Sequence, residues 1–402
     1  METSNKFGSN ISRRTGLKTA AILIASSALG MPALRARAAT KGEPILIGSI
    51  NDVTGFAAAY GTPEREGQRI GVKMVNDAGG IHGRPLQLVE RDTQGDTNRT
   101  VQYFEELAGD PKIAAIVGFT TSNDAIAVKA LASRMKVPEL AFSGAAAYTA
   151  GEIPYSYRIL LGDYYLVQGI LKFMREVKHA KTFAMLMQND AFGQGAAKVA
   201  KEFYTKYGLT LVADEMFSAK DTDVTPQLTK IREKKPDFIM SYCVGLVSAV
   251  INKNREALGM LGIPLIGPQN WGQDAVIKAS GAAAEGVLVA SSMASADPKP
   301  GAQAKMFAEY AKFAGTPPSG AAPIYGMDAI EIVAKALRKA APAKGDVDRV
   351  KLKEALDRTD YEGATGHFKF TPKIHEIVDP GEAVVGIIEN GKWIRYSSRK
   401  KK

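Results

Sequence analysis

Ile45-Leu46-Ile47-Gly48-Ser49-Ile50-Asn51-Asp52-Val53-Thr54-Gly55-Phe56-Ala57-Ala58-Ala59-Tyr60-Gly61 reads as an apolar strand, 45–50, running out into a loop of small, hydroxyl and aromatic residues. A helical pattern follows over 64–78 and stops at Gly79-Gly80, where backbone freedom suits a helix end. The next strand is 86–91, which completes a strand–loop–helix–strand unit. Outward from there the unit recurs. Asp96-Thr97 caps a helix to about 107, 113–117 is a wholly apolar strand, Ser122 or Asn123 caps a helix to 135, and 138–142 is a strand. A second run has helices at 166–177, 195–207, 224–235 and 247–258, with strands at 182–187, 209–217, 237–243 and 264–267. Beyond 290 lie helices at 302–314, 324–340 and 346–356, then a mixed tail at 366–370 and 383–393. Strands alternating with helices of about 10–15 residues predict parallel sheets covered on both faces. The break near 161–164 predicts two α/β lobes.

Composition agrees with that picture. The chain has 402 residues, enough for more than one domain, with 45% apolar and 23% charged residues. That balance excludes a disordered, collagen-like or disulfide-stapled chain. The single cysteine, Cys243, leaves no intramolecular disulfide and no thiolate cluster, and the four histidines, His82, His179, His367 and His375, are scattered. The net charge of +10 is concentrated at the ends: residues 1–38 carry six basic groups and one acid, and 399–402 carry four more basic groups. Residues 39–398 are left at +1. A nucleic-acid face needs a basic patch in the folded body, and none is apparent.

The first 38 residues read as an export signal. Ser12-Arg13-Arg14-Thr15-Gly16-Leu17-Lys18 precedes an apolar run at 19–29, and Ala36-Arg37-Ala38 offers a cleavage site before Ala39. The paired arginines resemble a twin-arginine signal. Gly16 stands where such signals usually have Phe, so the general secretory route stays open, and a mitochondrial presequence is the alternative. The run is shorter than the roughly 20 residues a membrane span takes. No cysteine follows it to carry a lipid anchor. The expected location is the periplasm. The basic residues 399–402 read as a tail.

Catalytic patterns are missing. There is no nucleotide P-loop, no G-x-G-x-x-G and no G-x-S-x-G elbow. Ser133-x-x-Lys136 matches one motif of penicillin-recognising enzymes without its partner motifs and reads as a solvated helix face. Asp92/Asp96 and Asp221/Asp223 read as caps and turn residues. The expectation is a protein with no catalytic residues, metal or cofactor.

Ligands of open α/β sheets bind beyond the carboxyl ends of the strands. Four loops there draw attention: 51–61, Gly118-Phe119-Thr120-Thr121-Ser122-Asn123, Ser143-Gly144-Ala145-Ala146-Ala147-Tyr148, and Pro268-Gln269-Asn270-Trp271-Gly272. The second opens a helix, whose free N–H groups favour an anion such as a carboxylate. Together they predict a binding cleft.

The opening I-x-I-G-S-x-N-D-x-T-G, followed by A-x-x-G-x-x-x-x-x-G from Ala58 to Gly67, resembles the leucine/isoleucine/valine-binding class of periplasmic solute receptors. Asn76-Asp77-Ala78-Gly79-Gly80-Ile81-His82-Gly83-Arg84-Pro85, Asp190-Ala191-Phe192-Gly193-Gln194-Gly195 and Ala284-Glu285-Gly286-Val287 fit in order. So do the 92–100 segment, Ile116-Val117-Gly118 and Lys235-Pro236-Asp237-Phe238-Ile239. The resemblance implies a type I two-lobed periplasmic-binding-protein fold, each lobe a parallel-rich sheet covered by helices, joined by three hinge crossovers. It implies lobe one at 43–162 plus 293–375 and lobe two at 163–292 plus 376–398. Tyr325 in Tyr325-Gly326-Met327-Asp328-Ala329 is then either a cleft or a core residue.

In the family's amino-acid binders the loop after the third strand holds the α-carboxylate, and Thr121 and Ser122 stand there. The next loop normally ends in a hydroxyl, where this chain has Ser143-Gly144-Ala145-Ala146-Ala147. The acid that grips the ammonium would fall in 267–271, where Gln269, Asn270 and Trp271 stand; one other acid, Asp163 at the lobe crossing, is nearby and could serve only if the hinge turns it into the cleft. A buried ammonium without a carboxylate costs several kcal/mol, which counts against a standard α-amino acid and favours an aromatic or aliphatic carboxylate or a short amide. The residues expected to line the cleft are Phe56, Tyr60, Thr121, Ser122, Ser143, Ala145, Ala147, Tyr148, Phe192, Gln269, Asn270 and Trp271. The resemblance implies the monomeric small-molecule receptor of an ABC importer, meeting an inner-membrane permease by peripheral contact only, with hydrophobic or branched-chain amino acids as the family's ligands. A ligand sensor is the alternative.

Overall fold

The computed structural model describes residues 42–378 and 383–398; the expected export signal and the basic tail lie outside them. The first run is β1 (Ile45–Asn51), α1 (Ala58–Asp77), β2 (Leu86–Asp92), α2 (Thr97–Gly109), β3 (Ile113–Gly118), α3 (Ser122–Met135), β4 (Glu139–Ala141), α4 (Ala146–Thr149) and β5 (Ser156–Arg158). The second is α5 (Asp163–Lys172), β6 (Thr182–Gln188), α6 (Ala191–Phe203), β7 (Thr210–Phe217), α7 (Thr225–Glu233), β8 (Phe238–Tyr242), α8 (Val247–Ala257), β9 (Leu265–Pro268), α9 (Asp274–Ser280) and β10 (Leu288–Ser291). Then come α10 (Ala302–Ala314), α11 (Ala322–Ala340), α12 (Arg349–Leu356), β11 (Asp360–Glu362), β12 (His367–Lys369), β13 (Val384–Glu389) and β14 (Lys392–Arg395).

These strands form two principal sheets. The first has the order β2-β1-β3-β4-β5 and is parallel throughout. The second has the order β14-β13-β10-β9-β8-β6-β7, parallel except where β13 and β14 add antiparallel strands at one edge. A strand covered on both faces has no polar side to show, which is why β3 (IAAIVG) and β8 (FIMSY) are buried at every residue. The chain crosses between the sheets three times: after β5, after β10 to helices that pack on the first sheet, and after β12 into β13. This is the two-lobed type I periplasmic-binding-protein fold.

Caps set where the helices begin. Asp96 accepts from the Asn98 N–H at the start of α2, and Asp190 accepts from the Phe192 and Gly193 N–H groups at the start of α6. At α3 the cap is Thr121, one residue before the expected Ser122 or Asn123. Thr121 Oγ1 accepts from the Asp124 N–H, so the hydroxyl of Ser122 is spared for the cleft. The helix expected at 64–78 begins six residues earlier, because Asp52 accepts from the N–H groups of Gly55 and Ala57 and nucleates the turn ahead of Pro63. The expected helix at 166–177 begins at Asp163 and ends in a π-helical turn, Phe173–Val177.

Candidate ligand-binding cleft

The carboxyl ends of β1, β3 and β4 face those of β6, β8 and β9 across a cavity with about 360 Å³ of unfilled space, part of it open to solvent. From the first sheet it is lined by Tyr60, Thr120, Thr121, Ser122, Phe142 and Gly144; from the second, by Asp190, Phe192, Val244, Gln269 and Asn270. No lysine or arginine is among them. The walls are aromatic and apolar at Tyr60, Phe142, Phe192 and Val244, and polar groups converge from three loops, the composition of a small-molecule site.

Several of those polar groups are already engaged. Thr120 Oγ1 donates to Glu64 Oε2 (2.7 Å) and accepts from the Asp52 N–H (3.1 Å). Thr121 Oγ1 donates to Asp124 Oδ2 at 2.7 Å while capping α3. Asn270 ties down the loop after β8, accepting from the Gly245 N–H and donating to Ser248 Oγ. Ser122 is different. Its Oγ accepts from the Ala145 N–H at 3.3 Å and from Ser143 Oγ at 3.1 Å, which leaves its own hydrogen for a ligand. With the free N–H groups in the first turn of α3, it makes a neutral donor site suited to a carboxylate. The Tyr60 hydroxyl is buried on the side of Gln269, the side chain nearest to it as a hydrogen-bond partner.

Burial pushes the neighbouring acids upward. Glu64, fully buried behind Thr120, is held well above the usual carboxylate range by desolvation, against hydrogen bonds from Thr120 and Asn51. Asp163 is pushed up to about 8 by desolvation, which the Arg158 guanidinium partly offsets. Asp190 is raised by desolvation, against the N–H groups of Gly193 and Phe192 and the Gln188 amide.

Six of the twelve expected residues line the cavity: Tyr60, Thr121, Ser122, Phe192, Gln269 and Asn270. The other six do not, each for a local reason. Phe56 turns its ring onto the loop at Gly95, a Cβ on which would lie 2.9 Å from the ring. Ser143 and Ala145 sit behind the lining, their carbonyls held by the Arg158 guanidinium. Ala147 is exposed, its carbonyl accepting from Lys129 Nζ. The single turn of α4 sends Tyr148 inward, where its hydroxyl donates to Glu139 Oε1 at 2.8 Å. A 3-10 turn at Gln269–Gly272 presents Gln269 and Asn270 to the cleft and folds Trp271 back over Gly267 into the core. Tyr325 is a core residue, its hydroxyl sharing a hydrogen bond with Ser291 Oγ at 3.2 Å.

Thr120, Phe142, Gly144, Asp190 and Val244 were not foreseen. Gly144 is where a side chain has no room: a Cβ there would lie 2.6 Å from Asp163 Oδ1 and 2.7 Å from Phe192. Asp163 therefore lies directly behind the lining without joining it. Across the cleft mouth, Asn123 Oδ1 accepts from the Ala191 N–H at 3.0 Å and the Ser319 carbonyl accepts from the Asp274 N–H at 2.8 Å. Among the described residues no group of three or more His, Cys, Asp or Glu is arranged to hold a metal ion, and no helix is long and apolar enough to cross a membrane.

Comparison with known proteins gives the cleft its context. Residues 44–389 match the family model described as periplasmic binding protein. The leucine-, isoleucine-, valine-, threonine- and alanine-binding protein of Pseudomonas aeruginosa is 26% identical over 337 residues, 82% of this chain and 87% of that protein. The branched-chain amino acid transporter substrate-binding protein LivJ of Streptococcus pneumoniae, solved with isoleucine, superposes with a TM-score of 0.78 at 26% identity, covering 87% of this chain and 97% of that one. A solute-binding protein of an ABC transporter from Rhodopseudomonas palustris BisB5, solved with 3,4-dihydroxybenzoic acid, superposes at 0.77 and 25% identity, covering 88% and 95%.

Proposed function

The chain belongs to the periplasmic binding protein family, and we propose that it is the exported ligand-capturing component of an ABC importer, trapping a hydrophobic or branched-chain amino acid by hinge closure. In this reading lobe one comprises 43–162 plus 293–375 and lobe two 163–292 plus 376–398. The monomer closes over its ligand and delivers it to an inner-membrane permease. Residues 1–38 direct export, by a signal of the twin-arginine type, and the mature chain begins near Ala39 in the periplasm. The observation that carries the reading is the first turn of α3: free N–H groups and the Ser122 hydroxyl hydrogen open into a cavity walled by Tyr60, Phe142 and Phe192. That is a carboxylate at one end and an apolar body at the other.

A second ligand class has its own support. Gln269, Asn270 and Trp271 supply no carboxylate for an amine, and one structural relative was solved with an aromatic acid. Thermal shift of the chain from Ala39 onward, unfolded and refolded to strip carried-over ligand, separates the two. The panel is leucine, isoleucine, valine and phenylalanine beside aromatic and aliphatic acids and short amides. A ligand at 100 times its Kd stabilises the native state by about 2.7 kcal/mol. A shift with the leucine class supports the amino-acid reading, a shift with aromatic acids alone moves the ligand to that class, and no shift with any carboxylate contradicts both.

A further inference from the structure

We propose that Asp190 selects for an amine on the ligand, its carboxylate receiving the ammonium of an amino acid whose own carboxylate sits at the first turn of α3. The inference rests on the reading of the cavity as a carboxylate-binding cleft, and it names the group that makes the ligand an amino acid.

Among the described residues Asp190 is the one carboxylate lining the cavity. Its Oδ1 accepts from the N–H groups of Phe192 (3.1 Å) and Gly193 (2.9 Å), and its Oδ2 accepts from Gln188 Nε2. A carboxylate offers about four acceptor positions, so one remains, on Oδ2. Gln188 is itself fixed, because its Oε1 accepts from the Val244 N–H at 3.1 Å; Asp190 is thus held in one orientation. Behind it lies a second carboxyl group, which burial keeps largely protonated at neutral pH. Asp163 lies against Gly144 and Phe192, both lining residues, and its Oδ2 is buried without a hydrogen-bond partner among the described residues. The nearest cation on that side, Arg158, is spent on Glu376 at 3.0 Å and on the carbonyls of Ser143, Gly144 and Ala145. The second-sheet side of the cavity therefore presents the Asp190 carboxylate with no lysine or arginine in the lining, while the α3 side presents donors. A ligand with one carboxylate and one ammonium satisfies both; a second carboxylate on the ligand would face Asp190 and be repelled.

The family resemblance implies this acid at 267–271, around the end of β9. Asp190 comes instead from the loop after β6, where its N-cap role hides it among ordinary capping residues. Capping and charge are separable, because Asn and Ser cap helices about as well as Asp.

The test is titration calorimetry with leucine and with isocaproate, the same carbon skeleton without the amine. It uses the refolded wild type, Asp190→Asn and Asp190→Ser, with thermal midpoints to establish that each is folded. The expected result is that wild type prefers leucine, and that this preference falls by about tenfold or more in both variants, the loss of a charge-assisted contact. A capping role alone would weaken both ligands together and leave the ratio as it was. An unchanged ratio in a folded variant overturns the inference. So does a wild type that binds isocaproate as well as leucine, which leaves the carboxylate reading standing and needs no variant to observe. A wild type that binds neither, nor any other carboxylate, overturns the functional reading and the inference with it.

Discussion

Gly245→Ala puts a methyl group where the two halves of the cleft meet. Gly245 follows β8 in the second sheet with φ +87°, and a Cβ built on it would lie 2.3 Å from the carbonyl oxygen of Phe56, in the loop after β1 of the first sheet. Two costs follow, and they act on different equilibria. The positive φ costs an alanine about 1–2 kcal/mol, whether the cleft is open or shut, so it lowers the thermal midpoint and leaves affinity alone. In the proposed hinge-closing mechanism the Phe56 contact exists only with the cleft shut. Ordinary contact begins at 3.4 Å, so the loops must part by about an ångström, at the roughly 1–3 kcal/mol that overpacking costs. Charged to the closed form, that raises Kd by about 5–150-fold, by the same factor for every ligand. Calorimetry with two unlike ligands reads the factor, and small-angle scattering reads the lost contraction on binding. A lowered midpoint with both Kd values within about twofold of wild type refutes the closure argument.

Three further changes probe other parts of the account. Ser122→Ala removes the free hydroxyl at α3 and should weaken every carboxylate ligand by roughly tenfold, the worth of a hydrogen bond to a charged group, as calorimetry reads it. Arg158→Met strips the donors from the carbonyls of Ser143, Gly144 and Ala145 and leaves Glu376 unpaired, a loss of about 3–5 kcal/mol in denaturant unfolding. Glu139, buried beside the Tyr148 hydroxyl, is pushed up to about 8 from 4.5 by desolvation. Its folded value lies above its unfolded one, so its stabilising contribution is full below about pH 4.5 and is lost as pH rises through 8. The thermal midpoint should therefore fall across that window, and fall less in Glu139→Gln; equal slopes in the two proteins would contradict the assignment.

The fold was legible because its strands are chemically extreme. A strand covered on both faces must be apolar throughout, and 113–117 and 182–187 advertise that without any partner in view. Helix starts were legible where the cap and the first turn are contiguous, as at Asp96, and less so at α1, where Asp52 reaches over five residues to the Ala57 N–H. Half of the cleft was legible for a related reason. Residues such as Ser122 and Gln269 lie just beyond strand ends, and the topology alone aims those loops at the cleft. What a loop does with each side chain is another matter: one 3-10 turn decides that Gln269 faces the cavity and Trp271 the core. Nor can a single sequence show that Gly144 is bare because Asp163 and Phe192 crowd it from helices beside the other sheet, or that a capping aspartate also lines the cavity.

Titration calorimetry of the refolded protein with leucine, isoleucine, valine and 3,4-dihydroxybenzoate, repeated on Ser122→Ala, tests the central claim most directly. Saturable one-to-one binding of at least one of the four is expected, weakened by the substitution. Binding that Ser122→Ala leaves unchanged would contradict a carboxylate site at the first turn of α3, and no saturable binding of any of the four would contradict the branched-chain and the aromatic-acid readings alike.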